Sequence, residues 1–167
     1  MSVRLISGVA ALAMVLPILY GDQDDGRGKP GEERVTLTGQ VRPLNTALRE
    51  FGLKFDDDAP GGMAMVTDAG EVHLILKDER GRAFYQDERL RERPLQLFLR
   101  RWKGIPAVQV LNVYSIKEDK LYEVDYWCDV CSIVTYDVRL CPCCQDVFGP
   151  MRLRERLMPE RPKNTGS

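Results

Sequence analysis

The chain has 167 residues, 44% of them hydrophobic and 29% charged, a balance that excludes whole-chain disorder and collagen-like fibres and allows one domain with an appendage. Twenty-four Lys and Arg against 25 Asp and Glu leave a formal charge of -1, which excludes a uniformly basic nucleic-acid coat but not a local basic patch. The single histidine, His73, argues against a histidine-rich metal site and against a His-based triad.

Residues 5–20 form an apolar run, with Arg4 before it and Asp22, Asp24 and Asp25 after it. Charge of this sign holds the N-terminus inside and sends the following chain across the membrane. The run predicts an N-terminal hydrophobic helix within residues 1–21, acting as a signal peptide or a membrane anchor. At 16 residues it is long for a signal core and short for a span, which takes about 20. Small residues at Ala11 and Ala13 lie inside the run, and Leu19 occupies a position that signal cleavage prefers to be small. Cleavage and anchoring therefore both stay open, with membrane association through residues 4–20 in the second case. Either way the expected location is periplasmic, or anchored and facing outward. Residues 22–34 are polar and rich in glycine and read as a flexible linker.

From Val35 the pattern alternates. Val35, Leu37 and Val41 around Gly39 read as a half-buried strand, and Leu44, Ala47, Leu48 and Phe51 recur at helical spacing. Asp56, Asp57 and Asp58 are adjacent rather than alternating, so they read as a solvated loop and not a calcium loop. Met63–Thr67 and Glu71–Lys77 read as a hairpin around Asp68-Ala69-Gly70. Leu95, Leu97 and Leu99, then Val108, Val110, Leu111 and Val113, give the closing strands. Five short strands over residues 35–120 predict a mainly β fold, a small OB-like antiparallel barrel. An SH3-like barrel or open sandwich is the alternative.

Between residues 80 and 103 stand Arg80, Arg82, Arg89, Arg91, Arg93, Arg100, Arg101 and Lys103, opposed only by Asp87, Glu88 and Glu92. Phe84, Tyr85, Phe98 and Trp102 interleave with them. Cations and stacking rings in one segment suit a polyanion-binding surface; a solvated connection with its own acids is the plainer reading. An exported setting disfavours nucleic acid and leaves an anionic ligand or an unknown protein as the expected partner.

All five cysteines fall between 128 and 144. Cys128-Asp129-Val130-Cys131 and Cys141-Pro142-Cys143-Cys144 flank nine residues, of which Ile133, Val134, Tyr136 and Val138 favour strands. Two C-x2-C pairs offer an ion four thiolates, the donor set zinc takes in closed tetrahedral sites. The expected ligands are Cys128, Cys131, Cys141 and Cys144, with Cys143 as a spare. The same cysteines allow two disulfides and a free thiol in an oxidising compartment, and the same donors also suit iron. Trp127-Cys128-Asp129-Val130-Cys131 matches the W-C-x-x-C string of thioredoxin-like oxidoreductases, but a second cysteine pair stands where the rest of that fold would follow.

The pair of knuckles resembles a zinc ribbon, and Cys141-Pro142-Cys143-Cys144 resembles the C-P-x-C knuckle of rubredoxin-like and zinc-ribbon proteins, with Gln145 where glycine often follows. The resemblance implies a C-terminal zinc-ribbon hairpin over residues 121–148 and a structural Zn2+. Residues 149–167 read as a basic short helix and tail. The whole resembles small exported bacterial proteins that pair a β-barrel with a four-cysteine knot, a resemblance that implies no activity. No G-x-S-x-G, H-E-x-x-H or glycine-rich phosphate loop occurs. The expected function is a non-catalytic binding or interaction module; a thiol-based redox or metal-handling protein is the alternative.

Overall fold

The computed structural model describes residues 31–54, 61–145 and 151–159. The expected N-terminal helix and the Asp56–Asp58 loop lie outside the described residues. No helix among the described residues is long and apolar enough to cross a membrane.

The elements are β1 (Glu32–Pro43), α1 (Leu44–Glu50), β2 (Met63–Thr67), β3 (Val72–Ile75), α2 (Ala83–Gln86), β4 (Leu95–Trp102), β5 (Ala107–Lys117), β6 (Lys120–Trp127), β7 (Val134–Thr135) and β8 (Arg152–Leu157). All strands belong to one eight-stranded sheet. The fold is mainly β and largely antiparallel, as the sequence predicts, but it is not a simple barrel. Five strands are joined in a ring: β1 to β2, β2 to β3, β3 to β5, β5 to β4 and β4 back to β1. The β3–β5 contact is parallel and only two residue pairs long, Leu74 with Ala107 and Ile75 with Val108. The sheet then continues outward through β6, which carries β8 on one edge and β7 on the other.

The ring closes because β1 serves two partners. Its first part pairs with β4 and its last part with β2, and Gly39 pairs with both Leu95 and Thr67. A Cβ at Gly39 would stand 2.1 Å from the Val66 carbonyl oxygen, so only glycine admits this close approach of backbones. β1 already begins at Glu32, inside the stretch expected to be linker.

Alternation fills the ring. Val41, Met63, Met65, Ile75, Leu95, Leu97 and Leu99 are buried, and Phe84 and Leu90 join them from the connection between β3 and β4. On β5 Val108 and Val110, then Val113 and Ser115, are buried, so the alternation changes phase at Leu111. Leu99 pairs with Val110 while Phe98 pairs with Asn112, so Leu111 is the extra residue of a β-bulge. The phase break visible in the sequence is this bulge. β5 turns into β6 through Glu118 and Asp119, both at positive φ (49° and 59°), the conformation of a two-residue hairpin turn that follows sheet twist.

Two expectations about the C-terminal part are corrected. The basic helix expected after residue 149 is instead the strand β8. Arg152, Arg154 and Arg156 repeat every second residue, and this period places Arg154 across from Asp125 and Arg156 across from Glu123, two acids of β6, with Arg152 across from Trp127. The strand hairpin expected between the cysteine pairs is also absent. Only Val134–Thr135 is extended there, and it pairs back to Tyr126 and Trp127, so the hairpin wraps the first knuckle alone. The charged connection of residues 80–93 holds α2 and a 3-10 turn, Glu88–Leu90.

Candidate metal centre

β6 delivers the first knuckle. At its end the chain turns so that the Cys131 N–H points to the Cys128 sulfur at 3.4 Å, the Ser132 N–H donates to the Cys128 carbonyl at 2.9 Å and the Cys128 N–H donates to the Ile133 carbonyl at 3.1 Å. The second knuckle repeats the turn, with the Gln145 N–H donating to the Cys141 carbonyl at 3.0 Å. Ser132 (φ 55°) and Gln145 (φ 44°) occupy equivalent positions after each pair, both in the left-handed region that glycine favours.

The two turns face each other. The sulfurs of Cys128, Cys131, Cys141 and Cys144 all lie within 4.8 Å of one another, and those of Cys128 and Cys144 are 3.6 Å apart. Four sulfurs held about 2.3 Å from one ion stand about 3.8 Å apart along the edges of a tetrahedron. The donor set and its spacing therefore fit a single thiophilic ion. All five cysteines are free thiols; Cys128 and Cys141 are buried, Cys131 and Cys144 half-buried and Cys143 exposed. The backbone N–H of Cys144 holds the Cys141 thiol down at about 7 against the opposing effect of burial, helped by the N–H of Cys143. The Cys131 thiol is pushed up, first by its bond to the Cys143 thiol, then by burial and the other three sulfurs.

The basic segment does not converge on a free surface. Arg80 lies over the Tyr136 ring, 3.3 Å from its centroid. Arg82 reaches Asp137 at 3.3 Å, and Arg89 holds Asp87 through two side-chain bonds. Arg91 donates to the carbonyls of Phe84 and Tyr85, and Arg93 pairs with Glu155. Arg100 and Arg101 pair with Glu32 and Glu33, each at 2.8 Å; Lys103 is exposed. Three of these contacts join the ring to the C-terminal layer, where Tyr136, Asp137 and Glu155 lie, and a fourth link is the 2.8 Å bond that Asp87 accepts from the Tyr126 hydroxyl.

Three carboxylates that the sequence does not mark as buried, Asp87, Asp125 and Asp137, are buried. Asp125 between Val124 and Tyr126, and Asp137 between Tyr136 and Val138, carry the signal of an acid in apolar surroundings; Asp87, between Gln86 and Glu88, carries none. His73 rests 3.3 Å from Glu71 and far from any second ligand of its own type, as the chain has none.

A groove of about 740 Å³ lies elsewhere, on the outer face of β1, β4 and β5. Thr36 and Phe98 pair across one strand boundary and Gln96 and Tyr114 across the next, forming its floor; Asp119, Lys120 and residues 157–159 edge it. None of the eight basic residues named above lines it.

Compared with protein-family models, with curated proteins and with solved structures, the chain matches none.

Proposed function

We propose that this protein is a non-catalytic binding module in which one zinc ion locks a C-terminal ribbon against an OB-type barrel. The observation that carries the reading is the meeting of four cysteine sulfurs within 4.8 Å. Four thiolates fill the coordination shell and leave no position for water or substrate, so the ion's role is to hold the fold. The five-stranded ring with its helical insert between β3 and β4 supports the OB-type assignment. The apolar run at residues 5–20 supports export or outward-facing anchoring. The partner in this reading is a protein or an anionic molecule, seated in the groove floored by Phe98 and Tyr114 with Lys120 at its rim.

The test is metal analysis of the purified full chain followed by chelation. The expected result is one zinc per chain, no visible colour, and loss of the Trp127 environment on zinc removal, because Trp127 immediately precedes Cys128. Absence of stoichiometric metal would sink the reading. A second reading, a thiol-based redox or metal-handling protein, is favoured by one observation, the exposed Cys143 beside the four sulfurs. A visible absorption band, or metal exchanged without change at Trp127, would select it. A reporter fused after residue 30 reports which side of the membrane the folded part occupies.

A further inference from the structure

The turn between β4 and β5 is built against the point where β1 begins. Lys103 donates its backbone N–H to the Gly31 carbonyl at 2.9 Å, and Glu32 pairs across from Trp102. Gly104, at φ 79°, reverses the chain, and the Ile105 N–H closes the turn on the Trp102 carbonyl at 3.1 Å. Backbone bonds satisfy this turn, which asks nothing apolar of residue 105. Ile105 is nevertheless 53% exposed, with Lys103, Gly104 and Pro106 exposed around it and Trp102 half-buried. The acids that open β1 are already matched, Glu32 by Arg100 and Glu33 by Arg101. The turn at the far end of β5, Glu118 and Asp119 between Lys117 and Lys120, has no apolar residue at its tip. An aliphatic chain, an indole and an ammonium together are what a membrane interface takes up.

We propose that the β4–β5 turn, Trp102-Lys103-Gly104-Ile105, is a membrane-contact site that seats the folded part on a phospholipid surface. The proposal rests on the reading of residues 5–20 as an outward-facing anchor. Residues 21–30 separate that run from Gly31, and ten residues reach at most about 36 Å. A run held in a bilayer therefore keeps Gly31, and the turn bonded to it, within that distance of the lipid. Ile105 enters the acyl boundary, Trp102 lies at headgroup depth, and Lys103 extends its ammonium to the lipid phosphates. Seated this way, the sheet carries the Asp119 and Lys120 edge of the groove at the far end of β5, away from the lipid and open to a partner in solution.

The experiment uses the full chain, made in a cell-free system so that residues 1–21 are retained, in phosphatidylcholine vesicles with plain or brominated acyl chains. Trp102 and Trp127 are the only tryptophans, so the emission lost on Trp102→Phe isolates Trp102 and leaves Trp127 in place. The chain is expected to float with the vesicles, and Trp102 to lose at least about half its emission in brominated lipid, the response of an indole at headgroup depth. Ile105→Asp changes an exposed side chain; it is expected to keep the wild-type urea midpoint and the flotation and to remove the quenching. A chain that floats while Trp102 is equally bright in both lipids overturns the proposal and leaves the anchor standing. Quenching that Ile105→Asp does not reduce has the same meaning. A chain that stays in solution overturns the anchor reading and the proposal together.

Discussion

Arg154 holds Asp125 by two parallel bonds of 2.8 Å each, while its guanidinium lies 3.9 Å from the centroid of the Trp127 ring. The Asp125 side chain is fully buried, and Arg156 adds a third bond at 3.1 Å. One arginine thus ties the register of β8 on β6 to the residue that leads into the first knuckle. Removing Arg154 leaves the buried Asp125 carboxylate to Arg156 alone, so Arg154→Leu is expected to cost on the order of 2 kcal/mol, below the cost of a fully uncompensated buried charge. Arg154→Lys is expected to recover little, since it keeps the charge and loses the fork. Urea unfolding measures the stability, and Trp127 fluorescence reports the lost ring contact.

Gly39 sets the second expectation. A methyl group there meets the Val66 carbonyl oxygen at 2.1 Å and the Thr67 Cα at 2.7 Å, both backbone atoms. Either β1 or β2 must move, so Gly39→Ala is expected to lose about 3 kcal/mol. A Gly39→Ala protein with an unchanged urea midpoint would show that β2 does not pair with β1 at this point.

The paired turns of the metal centre predict gains. Ser132 and Gln145 stand at φ 55° and 44°, and a left-handed conformation costs a side chain roughly 1–2 kcal/mol, partly offset by the greater freedom glycine loses on folding. Ser132→Gly and Gln145→Gly are each expected to stabilise by up to about 1 kcal/mol, and Ser132→Val to destabilise. Stability with zinc present, and zinc retention against a chelator, are the measurements. If Ser132→Val equals Ser132→Gly, the turn is not in this conformation.

Acid and alkali act through one buried pair. Burial raises Asp87, but bonds from Arg89 and the Tyr126 hydroxyl outweigh it, and the carboxyl ends below its ordinary value. A carboxyl depressed in the folded state contributes stability above its unfolded pKa of about 3.9 and loses it as pH falls through the folded value. Tyr126 is raised, by burial first and then by its bond to Asp87. Its contribution is complete below the unfolded pKa of about 10 and is lost as pH rises beyond it. Stability measured against pH is therefore expected to fall below about pH 4 and above about pH 10. Asp87→Asn is expected to flatten the acid arm and Tyr126→Phe the alkaline one. A Tyr126→Phe profile that still falls above pH 10 with the wild-type slope would reject the assignment.

The ring strands were legible because a half-buried strand writes its period into the sequence: Leu95, Leu97 and Leu99 could be assigned on alternation alone. The cysteine pairs were legible because metal chemistry fixes ligand type and spacing, whatever the surrounding fold. β8 was not, because its period is carried by arginines rather than apolar residues, and three arginines mean little until Asp125 and Glu123 are known to lie opposite. The same blindness made Arg80, Arg82 and Arg93 look like a free cationic surface. Their partners, Tyr136, Asp137 and Glu155, are 56, 55 and 62 positions away in the chain, and such pairings are decided by topology. The 3-10 turn at Glu88–Leu90 has no apolar stripe to announce it; a single buried residue, Leu90, anchors it.

The parallel contact of β3 with β5 has a dynamic consequence. The backbone pairing of those edges is two residue pairs and the 3.0 Å bond from the Leu76 N–H to the Val108 carbonyl, whereas β4 and β5 share seven pairs. The cylinder has a zip at this line, and thermal opening begins where the teeth are fewest. The Leu76 amide is expected to trade its proton for deuterium well before those of β4, and a staple placed across that line would slow the breathing of the whole molecule.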